Sequence, residues 1–98
     1  AVVKFVKRQS GNVSIICSGR LGEKVVEDTL CAEYLKYKFT DKLTQFRLTP
    51  TEISSECKKS PSYEMLASAG LEKDFEYCMK MDSHEFVPVL DGDGFILL

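Results

Sequence analysis

Apolar positions along the chain change period several times, and each period predicts an element. Val2, Val3, Phe5 and Val6 stand among Lys4, Lys7, Arg8 and Gln9, with Gly11 where a helix would stop. Residues 1–10 therefore read as the last turns of an amphipathic helix whose beginning is missing. Val13, Ile15, Ile16 and Cys17 form a short run rich in β-branched residues, which predicts a buried strand. Val26, Leu30, Tyr34 and Tyr37 then recur at helical spacing, widened by Val25 and Leu35, and predict a helix over about 23–38. From 39 to 48 the period is lost, and a loop with at most a short helical turn is expected.

Beyond it, capping chemistry sets the boundaries. Thr49, Pro50 and Glu52 supply an N-cap, a first-turn proline and a capping-box carboxylate for a helix to about residue 59. Ser60 and Pro61 repeat the device for a helix through Met65, Leu66 and Ala69 that ends at Gly70, and capping accounts for Ser60 without a catalytic role. A further short helix over 71–79 should turn Phe75 and Cys78 inward. Finally Phe86, Val87, Val89 and Leu90, then Asp91-Gly92-Asp93-Gly94, then Phe95 to Leu98 give two apolar runs about an Asp-Gly turn, a hairpin signal. The remaining ligand positions of a Ca²⁺ loop are absent, so the acidic turn is a plain turn.

The chemistry concentrates between the predicted strand and the first long helix. Ser18, Gly19, Arg20, Leu21 and Gly22 hold two glycines three apart, a tight turn that can bring bare backbone close to a ligand. A strand, such a turn and a helix start would aim free N–H groups at one spot, where the helix dipole adds roughly half a positive charge, and an anion such as phosphate would be held there. Cys17 lies where a helix N-terminus could stabilise a thiolate. Glu27 and Asp28 follow in the first helical turns. They suit the dipole in any case, and they also offer the hard oxygens that Mg²⁺ prefers, although neighbours on a helix point about 100° apart, so one of them would face the turn.

Composition narrows the classes. The 98 residues carry 13 basic and 15 acidic side chains, a formal net charge of −2 without a basic patch, which argues against nucleic acid or an anionic membrane as partner. No apolar run approaches the roughly twenty residues that cross a bilayer, and a cytoplasmic protein is expected. Cys17, Cys31, Cys57 and Cys78 are spaced too unevenly for a metal knuckle and read as buried free thiols. His84, the single histidine, sits between Asp82 and Glu85 at the start of the hairpin and reads as solvated.

The order of these pieces resembles the C-terminal part of the 2-phosphosulfolactate phosphatase family, the Mg²⁺-dependent phosphatases of coenzyme M biosynthesis. The resemblance rests on Cys17-Ser18-Gly19-Arg20-Leu21-Gly22, Glu27-Asp28 and Leu30-Cys31-Ala32, then Leu66, Ala69-Gly70, Asp74, Cys78, Asp82 and Val87-Pro88. It implies hydrolysis of the phosphate ester of 2-phospho-3-sulfolactate to 3-sulfolactate and phosphate. It further implies a phosphate cradle of Cys17, Ser18, Gly19, Arg20 and Gly22, catalytic roles for Arg20, Glu27 and Asp28, and Mg²⁺ held by Glu27 or Asp28. An Arg suits a forked contact to two oxygens. Two departures stand out: family members often carry His-Gly where Ser60-Pro61-Ser62-Tyr63 stands here, and they are over twice as long. A thiolate-phosphatase mechanism is disfavoured, because Cys17 and Arg20 are separated by two residues rather than five.

The expected fold is α/β: a single domain over residues 1–98, part of a mixed sheet with the 12–17 strand central, packed helices, and a C-terminal β-hairpin at one edge or pairing into the sheet of a missing N-terminal half. The expected partners are a small phosphorylated sulfonate and either the N-terminal half of the same enzyme or a second chain, with a homo-oligomer left open; alone, the chain should not turn over. The competing expectation is a non-catalytic α/β scaffold whose turn holds an anion or nucleotide without hydrolysing it.

Overall fold

A computed structural model describes residues 1–40 and 48–98; most of the expected loop at 39–48 lies outside the described residues. Five helices precede one antiparallel hairpin: α1 (Val2–Lys7), α2 (Val26–Thr40), α3 (Pro50–Cys57), α4 (Pro61–Ser68), α5 (Glu72–Cys78), β1 (Pro88–Asp91) and β2 (Gly94–Leu97). The fold is α/β as expected, and the chain divides into two compact units, Ile15–Met81 and Ala1–Ser14 with Asp82–Leu98.

In the Ile15–Met81 unit the core is small. Ile53 and Cys57 on α3 and Phe75 on α5 are buried, with Leu30 and Tyr34 of α2, Leu48, Tyr63, Leu66, Met79 and Met81 packed against them. Phe75 meets Tyr63 edge-on at 4.8 Å between ring centroids, a favourable aromatic geometry. The α2 stripe read from the sequence is present but only half-buried. Capping proceeds as the sequence dictates. Thr49 Oγ1 accepts the Glu52 N–H while a Glu52 carboxylate oxygen accepts the Thr49 N–H at 2.6 Å, and Ser60 Oγ accepts the Tyr63 N–H. At the far end of α4, Gly70 adopts φ +72°, the Leu71 N–H reaches Leu66 O and the Gly70 N–H reaches Ala67 O, the paired bonds of a Schellman stop.

The capping box makes an acid prediction. Its hydrogen bonds from Thr49, backbone first and side chain second, hold the Glu52 carboxyl below its ordinary value. A group depressed on folding stabilises the folded state above the unfolded pKa of about 4.3, and that contribution disappears as pH falls through the lower folded value. Urea midpoints should therefore drop between pH 5 and pH 3 by less in Glu52→Gln than in the parent chain.

In the Ala1–Ser14 and Asp82–Leu98 unit, β1 and β2 pair in the register Pro88↔Leu97 to Asp91↔Gly94, and mutual bonds between Val87 and Leu98 extend the ladder. Gly92, at φ +60°, takes the first turn position, where a two-residue hairpin loop favours glycine. Leu90, Phe95 and Leu97 remain exposed. His84 accepts or donates a hydrogen bond with Ser83 Oγ at 2.9 Å and meets Phe86 edge-on.

Two expectations are corrected. Residues 13–17 are not a buried strand: Val13 and Ile15 are exposed and Ile16 is 89% exposed. A strand requires a neighbouring ladder, and the only sheet among the described residues is the two-stranded hairpin. Of the four free cysteines only Cys57 is buried; Cys17, Cys31 and Cys78 are exposed, Cys78 as the last residue of a seven-residue helix that buries Phe75 alone.

Candidate active site

The glycine turn is closed by its own backbone. The Arg20 N–H donates to Glu23 O and the Glu23 N–H to Arg20 O, each at 2.9 Å, with Leu21 at φ +50° and Gly22 at φ +79° between them. Two successive positive φ values between a mutually bonded pair define a type I′ turn, and a leucine in its first central position is strained, since L side chains resist that region. α2 consequently starts at Val26 and not at 23. The expected convergence of free N–H groups does not form at 19, 20 and 23, because those three donors are already engaged.

The Gly19 donor is held by Asp28. Its N–H lies 2.7 Å from an Asp28 carboxylate oxygen, which also accepts from Ser18 Oγ at 3.3 Å, while the Cys17 thiol donates to the Asp28 carbonyl at 3.6 Å. Hydrogen bonds to an ionised acceptor are about twice as strong as neutral ones, so Asp28 clasps the whole 17–19 segment to the first turn of α2. Gly19 stands at φ +68°, and a Cβ there would come to 2.5 Å from Glu23 O. Only glycine fits.

Glu27 points elsewhere. Its Oε2 is shut off from solvent and has no hydrogen-bond partner among the described residues. It is close enough to Cys57 that, after burial, its charge is the next cause holding that thiol above the ordinary range. A carboxyl oxygen is the hard kind of donor that Mg²⁺ takes. The described residues contain no cluster of three metal-binding side chains. Mg²⁺ commonly takes only one or two protein carboxylates and completes its shell with water and phosphate, so a single carboxylate from this chain fits the ion.

Arg20 is half-buried, and its guanidinium donates to Met65 Sδ at 3.1 Å, a weak acceptor. It lines a cavity of about 510 Å³ that reaches the start of α4, whereas Cys17, Ser18, Gly19 and Gly22 line an adjoining cavity of about 310 Å³. The two share Glu23, Lys24 and Val25. The structure thus groups Cys17, Ser18, Gly19 and Asp28 by direct bonds, and sets Arg20 on the other side of the turn. Lys24, which lines both cavities, escaped the sequence reading because a lone lysine between a turn and a helix carries no periodic or motif signal.

An α/β chain with a glycine turn clasped to an acidic helix start is matched, over residues 1–93, by the family model of 2-phosphosulpholactate phosphatase. The chain belongs to that family. It is 32% identical over 98 residues to a protein of Pseudothermotoga lettingae, covering 91% of this chain and 44% of the relative. It is 30% identical over 110 residues to one of Clostridium botulinum, covering 100% and 46%. Both relatives bear the name "probable 2-phosphosulfolactate phosphatase". The chain spans less than half the length of these relatives. No solved structure matches it. No helix among the described residues is long and apolar enough to cross a membrane.

Proposed function

We propose that this chain supplies one portion of an enzyme that hydrolyses the phosphate ester of 2-phospho-3-sulfolactate to 3-sulfolactate and phosphate, with Mg²⁺ as cofactor. Family membership and the relatives' names support the reaction class; the buried Glu27 oxygen, without a partner among the described residues, is the observation that supports a metal. Glu27 holds the ion, and Asp28 acts as a positioning residue that fixes Ser18 and Gly19. When bound, Mg²⁺ supplies charge neutralisation for the phosphoryl group as the ester bond breaks. Arg20 exchanges its thioether contact for substrate oxygens, an exchange that costs little because sulfur is a poor acceptor.

The remainder of the site comes from polypeptide corresponding to the rest of the relatives' length, on the same chain or a second one. Exposed Ile16 in the larger unit and Leu90, Phe95 and Leu97 in the smaller one are apolar surface for it to cover. The isolated chain is therefore inactive, and works in the cytoplasm once assembled.

Phosphate release from 2-phospho-3-sulfolactate, measured with and without Mg²⁺ on the chain combined with its complementary half, tests this. Release should require both, and Glu27→Gln should lower it at least a hundredfold without shifting the melting temperature downward. Metal-independent release, or full activity in Glu27→Gln, would refute the assignment; anion binding without release would favour the scaffold reading.

A further inference from the structure

The larger of the two cavities carries a donor set of its own. Arg20, Lys24 and Lys59 reach it from the turn, the segment before α2 and the end of α3, and they face Glu23 and Glu56. Among the described residues, three cations against two carboxylates leave one net positive charge. The Lys59 ammonium is committed to Glu56 at 2.7 Å. Lys24 has no hydrogen bond or ion pair among the described residues, and Arg20 has only the thioether.

The opposite wall is the start of α4. Ser60 is buried and its hydroxyl is occupied as the cap, and Pro61 has no N–H to give. Ser62 is then the first residue with free donors: neither its N–H nor its hydroxyl has a partner among the described residues. The positive end of the helix adds to them. At about 510 Å³ the cavity is within the range that takes a small organic ligand rather than a bare ion.

We propose that this cavity is an oxyanion subsite for the sulfonate end of the substrate, with Lys24 and Ser62 as its specificity-determining residues. A sulfonate is a monoanion at any working pH and presents three equivalent acceptor oxygens. One net positive charge with several neutral donors suits it better than it suits a phosphate dianion, which calls for more positive charge. The identity of the ligand as a sulfonate rests on the phosphatase reading; the donor set does not.

Titration calorimetry of the intact 98-residue chain with methanesulfonate, and separately with inorganic phosphate, tests the subsite without needing turnover. Methanesulfonate should bind, Lys24→Gln combined with Ser62→Ala should weaken it at least tenfold with an unchanged circular dichroism spectrum, and phosphate affinity should change less. Lys24→Arg should restore part of the loss. No binding of methanesulfonate to the parent chain, an unchanged affinity in the double variant, or a larger loss for phosphate than for sulfonate would overturn the proposal. Sulfonate binding that behaves as expected in a protein whose assembled form releases no phosphate would retain the subsite and reject the phosphatase reading.

Discussion

Gly19→Ala will destabilise the Ile15–Met81 unit by about 2–5 kcal/mol, of which about 1–2 is the left-handed backbone and about 1–3 the overlap with Glu23 O. The clash is with backbone, at 2.5 Å, so no rotamer change relieves it. Something must move: either the Arg20–Glu23 pair opens, or the Gly19 N–H withdraws from Asp28. Gly22 provides the control. It too has a positive φ, +79°, but nothing lies within 4 Å of its Cβ position, so Gly22→Ala should cost only the backbone share, about 1–2 kcal/mol. Urea denaturation of the two variants side by side measures the difference. Equal midpoints would mean that the close approach at residue 19 contributes nothing.

Phe75→Ala carries the other large effect, about 3–5 kcal/mol, from lost burial and an unfilled cavity. Phe75 is one of three buried residues at the centre of the larger unit's core, and it also holds the Tyr63 ring edge-on. Domains of this size are stable by about 5–15 kcal/mol in total, so the loss is a large share of the whole. Thermal melting should fall by tens of degrees or lose cooperativity, and Phe75→Leu should lie between the variant and the parent. A fall of a few degrees would show that the core is sustained elsewhere.

What the sequence revealed and what it hid divide along a physical line. α3, α4 and the hairpin turn were legible because their determinants are local: Thr49 with Glu52, Ser60 with Pro61, and Gly92 each act on backbone within a few residues. Family and overall class were legible from motifs spread along the chain from Cys17 to Pro88. The 13–17 run misled because β-branched composition reports the wish for a ladder and cannot report whether a ladder is present. The turn misled in a subtler way. Two glycines three apart predict positive φ, but Leu21 rather than Gly19 joins Gly22 in the central pair, so the donors close on Glu23 and Asp28 instead of standing open. Lys24 and Ser62 are 38 positions apart in sequence with no shared motif, and only the folded chain brings them to one cavity.

The reciprocal backbone pair between Arg20 and Glu23 has a consequence for ionic strength. The Arg20 main chain is fixed by two neutral amide hydrogen bonds and its side chain rests on a thioether, with no ion pair among the described residues. Added salt screens charges over a Debye length of about 8–10 Å near physiological concentration but leaves amide bonds largely alone. The attraction that draws an anion toward this side of the turn should weaken as salt rises, while the base of the arginine that meets it stays where the turn has set it.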